Sequence, residues 1–351
     1  MLSMIDANTA HEAYLARHCE AVPADLATKR TAMAKDRFGF LRATCFRFAA
    51  RFSALLPEAA SQLTVPSVGD AHLENFGTWR DAEGRLVWGV NDLDEAAMLP
   101  WPTDLLRLAT SALLTRRAPD AHAVQRALLD GYTAGLGAPR PFILDEANAG
   151  MRDIAAPTPE GRAAFWSRID RLAPGEPPGA MRAALLAALP AGCGPARFAP
   201  RVAGLGSLGR ARFVAVAEWR GGRVVREAKA MLPSAWVEAG YPNAGSLDVA
   251  ALAHGPQRAP DPWLSMGHGL VIRRLAPDSR KLDIAPGREP VFLALLGAMG
   301  AELANFHGSA GAAAAIGVAL SAQRRHWLAQ GAETLAGAVQ EDFAAWQQAM
   351  R

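Results

Sequence analysis

Residues 69–77 read GDAHLENFG, and residues 91–96 read NDLDEA. The first stretch places Asp70, His72, Glu74 and Asn75 between Gly69 and Gly77, and the second adds Asp92 and Asp94. Polar side chains at this density suit a loop held for chemistry better than a surface turn whose Asx side chains bond their own backbone. Asp70 and Asn75 are five positions apart. A phosphoryl-transfer loop needs that arrangement, a carboxylate to take the hydroxyl proton and then an amide oxygen for Mg²⁺. A further metal-binding carboxylate is needed at the end of a strand, and Asp92, 17 residues past Asn75 and directly after LVWGVN, fits that place. Asp94 would share or orient the metal, and an all-oxygen set suits Mg²⁺ or Mn²⁺. His72 would brace the loop by hydrogen bonding or serve as a metal ligand. Asp104 opens a helix behind WPT, either as an N-terminal helix charge or reaching back to the loop backbone.

Outward from this centre, Phe38, Leu41, Cys45, Phe48, Phe52 and Leu55 alternate steps of three and four, one helix face over 38–56 closed by Pro57. TVPSV (64–68) and RLVWGV (85–90) predict strands leading into the two acidic stretches, and DLLRLATSALL (104–114) predicts a helix. Residues 115–195 predict helices and loops, with LAPGEPPG (172–179) and PAGCGPARFAP (190–200) as connectors. The texture then changes to three apolar runs, Arg201 to Ala203, Ala211 to Trp219 and Val224 to Met231. With Gly221-Gly222 as a hairpin turn and LVIRRL (270–275) as a further strand, this is a small antiparallel sheet. From Pro290 the pattern is helical, with Leu295, Met299, Leu303 and Phe306 on one face.

Gly204, Gly206 and Gly209 form a GxGxxG loop that includes Ser207. A dinucleotide-binding loop opens a helix, but ARFVAVAEW follows here with strand composition, and strand–loop–strand is how a kinase-type loop covers ATP phosphates. There is no GK[ST] string, which removes a Walker loop. Lys229, twenty residues past Gly209 on the third run, stands where a cation for the phosphates is needed, with Arg226 as the fallback.

Half of the 351 residues are apolar and a fifth are charged, which describes a globular chain. A net charge of +3 without a basic run gives no support to nucleic-acid binding. Three cysteines in no CxxC pattern disfavour structural zinc and disulfides and predict a reducing compartment. The N-terminus lacks a signal-type apolar core, and the apolar region 291–320 is interrupted by Glu302, Asn305 and His307, so the expectation is a cytoplasmic protein without a membrane span.

With these residues assembled, the chain resembles the aminoglycoside-phosphotransferase and protein-kinase-like superfamily: GDAHLEN resembles its HGDxxxxN loop, and NDLDEA followed by DLLRLA resembles its DFDDA…DLA segment. More closely, it resembles the bacterial domain-of-unknown-function family 2252, through MAKDRFGFLR, VGDAHLENFG, NDLDEA, VAGLGSLGRARF, KAMLPSA, VIRRL and LGAMGAELANFH. The resemblance implies an α+β, protein-kinase-like fold of two lobes. Asp70 would be the catalytic base, Asn75 and Asp92 the metal ligands, Lys229 and the glycine loop the nucleotide site, and Asp104 the aspartate that steadies the catalytic loop. The glycine loop follows the catalytic loop, which implies circular permutation. Residues 1–195 and 286–351 would make a mainly helical large lobe, and 196–285 the small antiparallel-sheet lobe. Val68 stands where kinases usually have His, and the glutamate partner of Lys229 is unassigned, with Glu238 nearest. The expected function is ATP- and Mg²⁺-dependent phosphotransfer to a hydroxyl of a small molecule or protein, with AMP transfer open. The rivals are a nucleotide-binding pseudokinase and a metal-dependent phosphohydrolase built on Asp70, His72, Asp92 and Asp94.

Overall fold

The computed structural model describes residues 2–117, 119–145, 148, 151–152, 155–281 and 288–351. The end of the expected small lobe, 282–285, therefore lies outside the described residues. The chain is mixed α+β with small antiparallel sheets.

The apolar stripe over 38–56 forms two helices, α3 (Arg37–Ala43) and α4 (Cys45–Leu55), rather than one. Asp36 caps α3 by accepting from Gly39 N–H at 2.7 Å. At Thr44 the backbone leaves the helical region (φ −124°, ψ 42°), and its hydroxyl donates to Phe40 O at 2.7 Å. The break re-aims α4 so that Phe48 and Phe52 meet the edge of Trp236 at 6.2 and 5.8 Å between centroids.

Residues 64–100 contain two ladders in series. β1 (Thr64–Ser67) pairs with β4 (Ala97–Pro100), and β2 (Phe76–Arg80) pairs with β3 (Leu86–Val90), both antiparallel. The registers Ser67↔Ala97 and Phe76↔Val90 force the segments between the ladders, 68–75 and 91–96, to lie side by side. Behind them runs α6 (Pro102–Leu113), buried from Pro102 through Ala112. Helix α7 (Ala121–Gly137) packs backbone to backbone on the helix Glu289–His307, because glycines face the contact on both sides. Glu289–Ala310 is the one segment among the described residues long and apolar enough to cross a membrane, and it is packed into this core.

The second unit is a five-stranded antiparallel sheet, ordered β6 (Arg197–Pro200), β7 (Arg212–Trp219), β8 (Gly222–Ala230), β10 (Leu270–Leu275), β9 (Ser265–Gly267). One face packs Phe198, Ala215, Ala228 and Ile272 on the helix Gly179–Ala188; the other packs Val214, Val216 and Val225 against Ile169 of the helix Pro159–Asp170. The first strand lies at 197–200, inside the stretch read as a connector, and 201–203 is irregular. Phe198 and Ala199 are the buried pair there, whereas Val202 is 61% exposed and gives no inward side chain to hold a strand. The hairpin turn also moves by one residue: Trp219 pairs with Gly222, so Arg220 (φ 48°) and Gly221 (φ 82°) are its two central residues.

Candidate active site

The two acidic segments are joined by Asn75. Its side-chain amide donates to Asp70 O (3.1 Å) and Asp92 O (3.0 Å), and its Oδ1 accepts from Asp92 N–H at 3.0 Å. At Gly69 the backbone has φ +77°, and a Cβ there would sit 1.9 Å from Glu95 O, so no side chain fits between the segments. Asp104, fully buried, reaches back to the loop: Oδ2 accepts from Val68 N–H (2.7 Å) and Oδ1 from Gly69 N–H (2.9 Å). His307 Nε2 lies 3.1 Å from the same carboxylate, and Tyr132 OH lies 2.7 Å from His307 Nδ1. Of the two placements open to Asp104 in the sequence, it takes the one that reaches back to the loop backbone.

Asp70 is gripped by Arg107, whose Nε donates to Oδ1 at 2.6 Å. Arg107 is itself fully buried and lies over the Phe48 ring. Burial raises the Asp70 pKa, against the pull of Arg107. His72 braces the loop by accepting Glu74 N–H at Nδ1 (3.1 Å), and burial followed by Arg42 and Arg107 holds it well below the ordinary imidazole range. Glu74 pairs with Arg42 at 2.8 Å and Lys281 at 3.3 Å.

The sheet supplies the cations for the second acidic segment. Lys229 of β8 donates from Nζ to Asp92 Oδ2 at 2.9 Å and pairs with Asp94. Arg210, at the end of the glycine loop, reaches Asp94 (3.1 Å) and Glu95 (3.0 Å). Glu95 also accepts Ala235 N–H at 2.6 Å. Burial alone would push Asp92 up, but Lys229, then a hydrogen bond with Asp94, then Arg273 outweigh it and hold Asp92 well below the usual carboxylate range. Burial, then the charge of Asp92, raises Asp94. Strand parity removes the fallback: Arg226 faces the opposite side of β8 and donates to Ala188 O. Glu238 does not meet Lys229 but pairs with His11 at 2.8 Å.

The glycine loop lies between β6 and β7, with a single helical turn at Leu205–Ser207. Gly204 (φ +75°) and Gly209 (φ +100°) need their freedom, and a Cβ on Gly209 would lie 2.3 Å from Leu26. Ser207 Oγ accepts from Arg212 at 2.6 Å, and Lys29 Nζ donates to Gly206 O at 3.1 Å. This loop, Asp70, Asn75, Asp92 and Asp94 all line one cleft of about 170 Å³.

For a hard cation the available donors are carboxylate and amide oxygens, as Mg²⁺ requires. The Asp92 side chain is 38% exposed and Asp94 only 6%, so Asp92 is the reachable ligand, with Asn75 Oδ1 beside it. Asp94 Oδ1 has no hydrogen-bond partner among the described residues. Of the phosphohydrolase set, Asp70 Oδ1 is held by Arg107, Asp94 by Lys229 and Arg210, and His72 Nδ1 by Glu74 N–H, while His72 Nε2 stands 3.9 Å from Asp70 Oδ2. No group of three or more His, Cys, Asp or Glu at metal-binding spacing occurs among the described residues.

Residues 20–134 match a family described as an uncharacterized protein conserved in bacteria, DUF2252. The DUF2252 match contains Asp70, Asn75, Asp92, Asp94 and Asp104, and the glycine loop and Lys229 lie beyond it. No curated protein and no solved structure matches the chain.

Several participants escaped the sequence reading. Arg107 stands three past Asp104 on one helix face, and Arg210 directly follows the glycine loop. Glu227 stands two before Lys229, on the same face of a strand.

Proposed function

We propose that the chain is a Mg²⁺- and ATP-dependent phosphotransferase of kinase-like, circularly permuted two-lobe architecture, acting on a hydroxyl of a small molecule or protein. The observation that carries this reading is the 2.9 Å contact between Lys229 and Asp92, residues 137 apart in sequence, where Asp92 lines the cleft together with Asp70 and the glycine loop and Lys229 holds it from behind. The strand–glycine loop–strand connection supports it.

On this reading Asp70 accepts the hydroxyl proton at Oδ2. Arg107 holds Oδ1 and fixes the carboxylate plane, and the raised pKa suits proton acceptance. The hydroxyl oxygen forms its bond to the γ-phosphorus as the bond to the β–γ bridging oxygen breaks, and ADP leaves. Asp92 and Asn75 would hold Mg²⁺, which would supply positive charge against the phosphates. Asp104 acts through the backbone by keeping Val68 and Gly69 in place.

Purified protein is expected to consume ATP with Mg²⁺, and Asp92→Ala and Lys229→Ala to abolish turnover. Normal turnover by both variants would sink the reading. Release of pyrophosphate instead of ADP would move the reaction to AMP transfer. One observation favours a second reading, a nucleotide-binding pseudokinase: Lys229 pairs with the two aspartates and, among the described residues, with no glutamate. ATP binding without turnover on any acceptor pool would select it.

A further inference from the structure

Three arginines beside the glycine loop converge on one carboxylate that the mechanism above does not use. Glu227 of β8 is 1% exposed. Arg212 of β7 donates to it at 2.9 Å, Arg273 of β10 at 2.8 Å, and Arg201, just after β6, completes the ring. The registers Val214↔Glu227 and Arg273↔Glu227 bring these strands together at the end of the sheet nearest the acidic loops. Among the described residues none of the three arginines has a second carboxylate within ion-pair distance. Within ion-pair distance three guanidinium charges face one carboxylate, a surplus of two that Asp92 offsets only in part from farther off. Packing like charges this closely is unfavourable unless an anion completes the set. All three arginines line the same cleft as the glycine loop, and Arg212 also donates to Ser207 within that loop. Lys229, by contrast, spends its ammonium on Asp92 and Asp94 and is not among the residues lining this cleft.

We infer that Arg201, Arg212 and Arg273, assembled on Glu227, form the polyphosphate cradle of the cleft, and that Lys229 holds the two aspartates instead of the phosphates. Guanidinium forks suit phosphate oxygens, since each can donate two parallel hydrogen bonds. Glu227 acts as the template: one buried carboxylate fixes three planes whose remaining N–H groups serve the ligand. The ligand class is the di- or triphosphate of a nucleotide or a free inorganic polyphosphate. The nucleotide assignment rests on the function proposed above, whereas the anion site rests on the arginine geometry alone.

Calorimetric titration of the full chain in a chelating buffer separates these possibilities, using sodium tripolyphosphate, ATP and adenosine as probes. Arg201→Gln and Arg273→Gln are the variants of choice, because Glu227 keeps two guanidinium partners in each and its buried charge is not stranded. Wild type is expected to bind tripolyphosphate, and each variant to lose about tenfold in affinity. Lys229→Met should lose less than either. The cradle is overturned if wild type binds no tripolyphosphate, or if arginine variants with wild-type melting temperatures bind it as tightly as wild type. Binding of tripolyphosphate but not ATP keeps the cradle and removes the nucleotide reading. Undiminished ATP binding by the arginine variants does the reverse. Adenosine binding as tight as ATP binding would overturn the assignment of nucleotide phosphates to the cradle, since those phosphates would then contribute nothing.

Discussion

Asp104 accepts from two successive backbone N–H groups with two different oxygens. Asn keeps the shape but offers one acceptor, so Asp104→Asn leaves a buried N–H facing an NH₂ group. The expected loss is about 1 to 3 kcal/mol in denaturant unfolding, with a lower kcat and little change in KM. Lys29 gives a test of a different sign. Burial first, then Arg210, lowers its pKa to about 8 from 10.5. Below about pH 8 the folded protein carries the full cost of a buried ammonium. Between there and 10.5 the unfolded chain binds the extra proton, so stability rises with pH. Wild type should therefore gain roughly 2 kcal/mol relative to Lys29→Met between about pH 7 and about pH 9.5. The difference curve is the quantity to measure, because Cys45 and Tyr132, pushed up by burial, act oppositely at higher pH. A pH-independent gap would refute the assignment. Asp70, Asn75 and Asp92 were legible because their spacing is local. Arg107, Arg210 and Glu227 were not, because an arginine in DLLRLA or SLGRAR, or a glutamate in VREAK, shows its partner only after folding.

At the scale of elements, the contact between α7 and the helix Glu289–His307 decides stability. A Cβ on Gly131 would lie 1.8 Å from Gly297 O, and one on Gly300 would lie 2.3 Å from Leu128 O. Gly131→Ala must separate the helices, at a cost of about 3 kcal/mol in chemical denaturation. Gly317, inside the helix Ala313–Ser321, has open space where its Cβ would be, so Gly317→Ala is expected to stabilise by up to about 1 kcal/mol. Equal effects from the two substitutions would contradict the packing argument. Helices with a long apolar period were readable, as the face of Leu295, Met299 and Leu303 illustrates. Thr44 was not readable as a break, since the stripe runs through it without interruption. β2 (FGTWR) and β4 (AMLP) are short and lack alternation, and only pairing with β3 and β1 makes them strands.

At the scale of the whole molecule, the sheet and the acidic loops are held together by charge. Arg210 is 5% exposed, and its removal leaves Asp94 and Glu95 each with one donor fewer. Arg210→Met is expected to cost about 3 kcal/mol and to expose the connection at 201–212 to protease. An unchanged melting temperature would show that the two units do not depend on this pair. The ladders β1–β4 and β2–β3 need only residues 64–100, and their acids are in place as soon as they pair. The sheet cations of Asp92 and Asp94 are not. During synthesis Lys229 follows Asp92 by 137 residues, which at ribosomal speed is a delay of about 7 to 27 s. For that interval Asp92 and Asp94 lack the lysine they share, whereas Asp70 and Glu74 already have Arg107 and Arg42. Chains stalled before β8 should accordingly be cut readily at 91–96, and chains stalled well past Ala230 should resist. The order in which the ribosome delivers the two halves thus delays completion of the site until the sheet has emerged.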